Sequence, residues 1–377
     1  MWSSRFRLPG VLLAVAGLAS SGTLVAQESK KPTVGPDTRQ YEEMVAKAAE
    51  YLRTKGQADD GSYSKASGPA VTAVVTAGLL RYGRSVDDPT VAKGLKYLEG
   101  FVQKDGGIYG GQFYKNYETC LTIMCLVEAN KDGRYTKILK DAEKYARGLQ
   151  WGEGLEDADR KRGGQGYGSK KRPDVSNTSI FIDALRSAGA GENDPAIREA
   201  LKFVSQCQNL ESEHNTGPFA AKNSDGGFAY TVDDSQAGKT DSGGLRSYGS
   251  MTYAGLKSMI FAGVDANDPR VKAATTWVRK NYDLTSNPGM GPQGLYYYYH
   301  TFAKALDALG QDTFVDADGK KHDWRRELAE ELAKRQRPDG SWVNENNRWL
   351  EGDPNLVTGY ALLALSYCKP KVVTSKP

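Results

Sequence analysis

The chain has 377 residues, 39% of them hydrophobic, with 50 Lys and Arg against 46 Asp and Glu. That is enough apolar material for a sizeable core, and the near-balance of charge excludes the basic footprint of a nucleic-acid partner. Beyond the N-terminal segment no stretch is apolar for long enough to predict a membrane span.

Met1 to Ala26 reads as a secretory signal peptide: Arg5 and Arg7, an apolar run from Val11 to Leu18, then small residues up to Val25-Ala26. Its removal takes away two Arg and no acid, leaves 48 basic against 46 acidic side chains, and predicts an exported protein, periplasmic or extracellular. No Cys lies near the cleavage region, which argues against a lipid anchor. Residues 27–37 read as a mobile leader, 38–368 as one repeat-built domain and 369–377 as a disordered tail.

From Tyr41, the residues Met44, Val45, Ala48 and Leu52 keep a helical spacing with charges between them, which predicts an amphipathic helix. Gln57 and Asp60-Gly61-Ser62-Tyr63 end it. Pro69 to Tyr82 has almost no polar face, so this helix must be surrounded by protein, and Gly83 stops it. The alternation recurs along the chain. Asp88-Pro89, Asp194-Pro195 and Asp268-Pro269 each open an amphipathic helix, with Asp as the cap and Pro in the first turn, where its missing N–H costs nothing. Tyr63, Tyr109, Tyr167, Phe228, Tyr296 and Trp342 mark the loops, and each leads into an apolar helix, around 69–82, 117–129, 175–188, 249–262, 296–309 and 355–367.

Six amphipathic helices alternating with six apolar ones bury most surface as an inner ring wrapped by an outer one. The expected fold is all-α, a single α/α toroid. An open solenoid would need polar capping repeats, and no terminal repeat differs in kind. The long segments 152–173 and 210–247 both precede inner helices and are expected over one end of the barrel, as a lid. Cys120 and Cys125 lie on one helical run with diverging side chains, so all four cysteines read as buried thiols, with a Cys207–Cys368 bridge as the alternative.

The segment QRPDGSW, Gln336 to Trp342, resembles the Gln-Trp repeat of squalene and hopene cyclases. DGGIYGG, SDGGFAY and GPQGLYYYYHT are similar to repeats of protein prenyltransferase β-subunits. The likeness runs from residue 38 to 368 and implies the toroid fold. It also says where to look for active residues. The cyclase acid lies in an Asp-x-Asp-Asp-Thr motif; the matching run is Asp174-Val175-Ser176-Asn177-Thr178, so Ser176 stands where the proton donor would be, and a hydroxyl of ordinary acidity does not protonate an alkene. The prenyltransferase zinc site uses an Asp-x-Cys pair and a later His. Tyr299-His300-Thr301 fits the last, but the pair falls on Arg246 and Tyr248, so neither zinc nor another cofactor is expected.

Aligning the apolar helices gives a column of Thr: Thr72, Thr119, Thr178, Thr252, Thr301 and Thr358. Recurrence in every unit points to scaffold, a hydroxyl bonding to a carbonyl one turn back or to a neighbouring helix. The position just before the Thr varies, and in three units it is Glu118, Asn177 or His300. These three are expected to face one cavity at the amino ends of the inner helices, with Asp174 beside them and Tyr117, Tyr248 and Tyr299 as aromatic walls. The converging helix amino ends favour an anion at that mouth, and the basic loop Arg160, Lys161, Arg162, Lys170, Lys171, Arg172 lies over it. Plainer roles exist for each: Glu118 countering the helix dipoles, His300 bonded to a Tyr hydroxyl, Asn177 or Asp174 as a helix cap. The expected function is an exported toroid holding an apolar or isoprenoid, lipid-like ligand. The alternatives are a polysaccharide hydrolase or lyase acting on a glycan, with Glu118 and Asp174 or Asp241 as paired carboxylates, and a non-catalytic interaction module of the cell envelope.

Overall fold

The computed structural model describes residues 33–152, 154–156, 159–168 and 172–372. The signal-peptide segment, residues 27–32 of the leader and residues 373–377 of the tail lie outside them. Among the described residues, twelve α-helices follow one another. The odd-numbered helices, α1 (Thr38–Tyr51), α3 (Pro89–Glu99), α5 (Thr136–Gly148), α7 (Pro195–Gln206), α9 (Pro269–Lys280) and α11 (Trp324–Arg335), bury one stripe each. The even-numbered helices, α2 (Pro69–Arg81), α4 (Lys115–Ala129), α6 (Val175–Ser187), α8 (Gly249–Phe261), α10 (Leu295–Ala308) and α12 (Pro354–Ser366), are buried nearly all round. Each even helix packs on the next, and α12 packs on α2, which closes the ring as the repeat implied. Asp88, Asp194 and Asp268 accept first-turn N–H groups of α3, α7 and α9.

The loops explain the repeat. Gly61, Gly106, Gly163, Gly226 and Gly340 all have φ between +83° and +91°, and each lies against a carbonyl of the next outer helix: those of Lys93, Asp141, Glu199, Ala273 and Lys47. In four of these loops a Gln side chain joins the same two elements. The Nε2 of Gln57, Gln150, Gln208 and Gln336 donates to the carbonyl of Gly61, Gly163, Gly226 and Gly340, and to that of Thr90, Ala196, Arg270 and Met44 on the following outer helix. The last of these clamps reaches from the sixth unit to α1.

The Thr column makes the expected bond in three units, where Thr178, Thr252 and Thr301 donate to the carbonyls of Asp174, Tyr248 and Tyr297 one turn back, and it has a second role that was not expected. Thr72, Thr119, Thr178, Thr252 and Thr358 each accept, at 2.9–3.1 Å, the backbone N–H of the loop residue leading into their own helix: Tyr63, Ile108, Gln165, Phe228 and Trp342. That position asks only for an N–H and a buried side chain. Tyr63, Phe228 and Trp342 fill it, while Tyr109 and Tyr167 lie one and two residues later and Tyr296 lies inside α10. The expectation that six loop aromatics are equivalent is thereby corrected to three. Thr301 bonds only to Tyr297 and Tyr298 carbonyls in its own helix, so the fifth unit breaks the pattern.

One further expectation changes and one holds. The ordered unit extends beyond 38–368, because β1 (Thr33–Val34) pairs antiparallel with a strand at Lys371–Val372, and the Gly35 N–H donates to Asp323. The four cysteines are buried free thiols, so Cys207 and Cys368 are not bridged.

Gly340→Ala tests the clamp. A Cβ there would stand 2.3 Å from the Lys47 carbonyl oxygen, whereas one at Gly83, with φ +95°, meets nothing within 4 Å. Both substitutions carry the same backbone strain, so Gly340→Ala should lower the Tm well beyond Gly83→Ala; equal melting would mean the close approach does not matter.

Candidate functional site

The lumen is the space inside the inner ring, and it is crossed near the amino ends of the helices. The Tyr117 hydroxyl (α4) pairs with that of Tyr360 (α12) at 3.1 Å, and Ser176 Oγ (α6) pairs with the Tyr297 hydroxyl (α10) at 2.8 Å. Neither pair joins ring neighbours: α2 lies between the first two helices and α8 between the second. The Tyr297 and Tyr360 rings meet edge to face at 5.9 Å. These four side chains roof the lumen.

Beneath the roof is a chamber lined by Ala73, Val74, Ala77, Leu121, Met124, Ile180 and Leu363, with His300 on one wall. It is small, with about 30 Å³ open to water centres, room for about two waters. The His300 ring lies 6.1 Å from that of Tyr360 and makes no hydrogen bond among the described residues. Burial, with Lys304, Arg81 and Lys257 nearby, pushes its pKa well below the usual value, so it stands neutral at pH 7.

The floor carries charge. Asp183 (α6) accepts from Lys257 (α8) at 2.5 Å and from Lys304 (α10) at 2.8 Å, all three less than a tenth exposed. Both bonds go to Oδ2, and Oδ1 has no partner. Burial opposes the ionised carboxylate, yet the two ammonium groups hold Asp183 below its usual range, while burial lowers Lys304 and brings Lys257 down to about 8. Arg81 closes the floor through Glu128 and the Tyr367 hydroxyl. Asp183, Lys257, Lys304 and Arg81 were missed from sequence. Lys257 and Lys304 in otherwise apolar helices were the available signal.

The expected site residues separate. His300 lines the chamber, whose lining includes neither Glu118 nor Asn177. The cause is register: α10 lacks the loop bond of the other units, its Thr301 sits one turn deeper, and His300 lies level with Leu121 and Ile180. Glu118 accepts the Gly110 and Gly111 amides of the preceding loop, and burial pushes it up to about 7. Asp174 caps α6, taking the Asn177 N–H and Nδ2 and the Tyr230 hydroxyl, and burial raises it to about 6. Tyr117 belongs to the roof. Tyr248 is buried at the start of α8 near Asp174 and Tyr297. Tyr299 turns outward and donates to the Leu284 carbonyl.

The anionic mouth is also corrected. Asp174, Asp353 and Glu351 already answer the amino ends of α6, α12 and α10, Glu351 taking the Tyr296 and Tyr297 amides. The arginines of the basic loop are spent internally: Arg160 pairs with Asp233, Arg172 with Asp234 and Arg162 with Glu199, while Lys170 and Lys171 lie outside the described residues. The first two pairs join the 152–173 and 210–247 segments to each other, and the third ties the loop to α7. Among the described residues no group of three or more His, Cys, Asp or Glu side chains is placed to hold a metal.

No family model matches the chain, and no curated protein matches it in sequence. Solved structures match along nearly all of it. The type II terpene cyclase MstE from Scytonema is 14% identical over 88% of this chain and 98% of its own, with a TM-score of 0.52. A family 88 glycosyl hydrolase from Bacteroides vulgatus is 9% identical over 87% and 98%, TM-score 0.54, and a possible GH105-family member from Salmonella enterica is 13% identical over 94% and 98%, TM-score 0.52. The protein is an α/α toroid. More narrowly, it has a terpenoid cyclase-like toroid fold, which it shares with α/α-barrel glycosidases.

Two predictions follow from the buried charges. Lys304→Met leaves one ammonium on one carboxylate and should keep or raise the Tm, whereas Asp183→Asn strands two ammonium groups and should cost about 3–5 kcal/mol in urea unfolding. The reverse ranking would mean the triad is not a net burden. Glu118 and Asp174 have folded pKa values raised above their unfolded ones, so their stabilisation is complete below about pH 4 and is lost as pH rises through 6 to 7. Neutral His300 acts in the opposite sense, so the measurement is a comparison: between pH 5 and 7.5, stability should fall less, or rise more, with pH in Glu118→Gln and Asp174→Asn than in the parent.

Proposed function

We propose that this protein is an exported binding toroid that takes an apolar, isoprenoid-like chain into its lumen. The observation that carries this reading is the chamber wall. Seven of its residues are aliphatic, Ala or Met side chains drawn from α2, α4, α6 and α12, and only one carboxylate, Asp183, lines it. Glycoside hydrolysis needs two carboxylates flanking the bond, one protonated and one free. Asp183 is doubly ion-paired and held ionised, and the raised carboxyls of Glu118 and Asp174 are engaged by backbone amides. The residues therefore favour an apolar ligand over a glycan.

Catalysis has little to work with. Ser176, at the position matching the cyclase acid, turns into the lumen and bonds to Tyr297, but a neutral hydroxyl pair supplies no strong acid. Binding without turnover is the reading these groups support. The chamber as it stands is too small for a chain, so the ligand parts the roof, and the two hydroxyl pairs that must separate contribute only about 1 kcal/mol each.

Calorimetry of the mature chain with farnesol and with a cello-oligosaccharide separates the readings. Farnesol should bind with a negative heat-capacity change, the mark of apolar burial. Ala77→Leu, which fills the chamber, should weaken it at least tenfold, about 1.4 kcal/mol. Binding of the oligosaccharide and not of farnesol would overturn the proposal.

A further inference from the structure

The lumen floor holds more positive charge than its partners account for. Lys257 and Lys304 face one carboxylate, and Arg81 is already matched by Glu128. Each ammonium carries three N–H donors and spends one on Asp183. Four donors are thus left against two unfilled acceptors, Asp183 Oδ1 and the unprotonated ring nitrogen of His300. Beyond that carboxylate, the partner each ammonium has is the Phe261 ring, 5.9 and 5.6 Å away. The carboxyl ends of the inner helices offset part of this charge, but no helix carbonyl accepts from either lysine. Buried donors in excess, beside a cavity, describe a site built for an acceptor-rich anion.

We propose that Lys257 and Lys304 form a carboxylate seat at the floor of the lumen, so that the ligand is an apolar chain ending in a carboxylate and is bound head down. The inference rests on the proposed apolar function and names the chemistry of the ligand's polar end. Both lysines line the chamber, and a carboxylate there brings two acceptor oxygens and one negative charge. With it in place the floor would hold two positive and two negative charges. A diphosphate is too highly charged for this place, where two ammonium groups already share one carboxylate. Neutral His300, one turn above Lys304, offers a ring N–H to the same group. The chain of the ligand would then run upward along Leu121, Ile180 and Leu363 to the tyrosine roof. A long apolar acid fits this seat; the corresponding alcohol would leave the floor charged and its donors unfilled.

The test compares farnesoic acid with farnesol on the mature protein at pH 7. The expected result is at least tenfold tighter binding of the acid, with the acid-to-alcohol ratio falling towards one in Lys304→Met. Equal affinity for acid and alcohol in the parent protein overturns the carboxylate seat and leaves the apolar reading standing. Binding of neither overturns the apolar reading as well. A preference that survives in both Lys304→Met and Lys257→Met places the anion elsewhere and also overturns the seat. Should one of these variants fail to fold, the other and the comparison on the parent protein still decide.

Discussion

The structure depends on a contact between neighbours: a loop glycine in the left-handed region pressed on the next outer helix, with a Gln amide joining the same two elements. A helical pair alone cannot satisfy it, because one of the two carbonyls that receive each Gln belongs to the following unit. Each loop is therefore completed by the unit after it, and the last is completed by α1. This makes closure a property of the loops as much as of the helix packing, and it accounts for the Gln and Gly that punctuate otherwise divergent loops.

The one junction without the glycine contact leads into α10, and α10 supplies Tyr297, His300 and Lys304 to the lumen. Freed from the Thr-to-loop bond, α10 is held instead by Glu351 on its first amides and by the Tyr298 and Tyr299 hydroxyls on the carbonyls of Asp283 and Leu284. The change of register brings a histidine to a level that α4 and α6 fill with Leu121 and Ile180, and sets Lys304 one turn below it, beside Asp183 and Lys257. The irregular unit thus gives the lumen three polar side chains from one helix, more than any regular unit does, with local rules broken and compensated nearby.

Much of the fold was legible because it rests on periodicity and punctuation. The inner helices fall within two residues of their expected ends, and the Asp-Pro openings of α3, α7 and α9 cap as anticipated. The site was less legible. Sequence alignment put His300 level with Glu118 and Asn177, because Thr301 looked like the other threonines; only its hydrogen bonds reveal that it serves a different purpose. Asp183, Lys257 and Lys304 are 74 and 47 residues apart along the chain, on three different helices, and no local pattern links them. Their meaning comes from sharing one oxygen atom.

The short pairing of Thr33–Val34 with Lys371–Val372 brings the two ends of the ordered chain side by side. The seam between last and first is made of the same Gln and Gly clamp as three other joints of the ring. The chain thus has no structurally privileged starting point. The two strands could be linked directly and new termini opened in an exposed inter-unit turn, giving a circular permutant that keeps every clamp and the lumen while changing the order in which the units emerge from the ribosome.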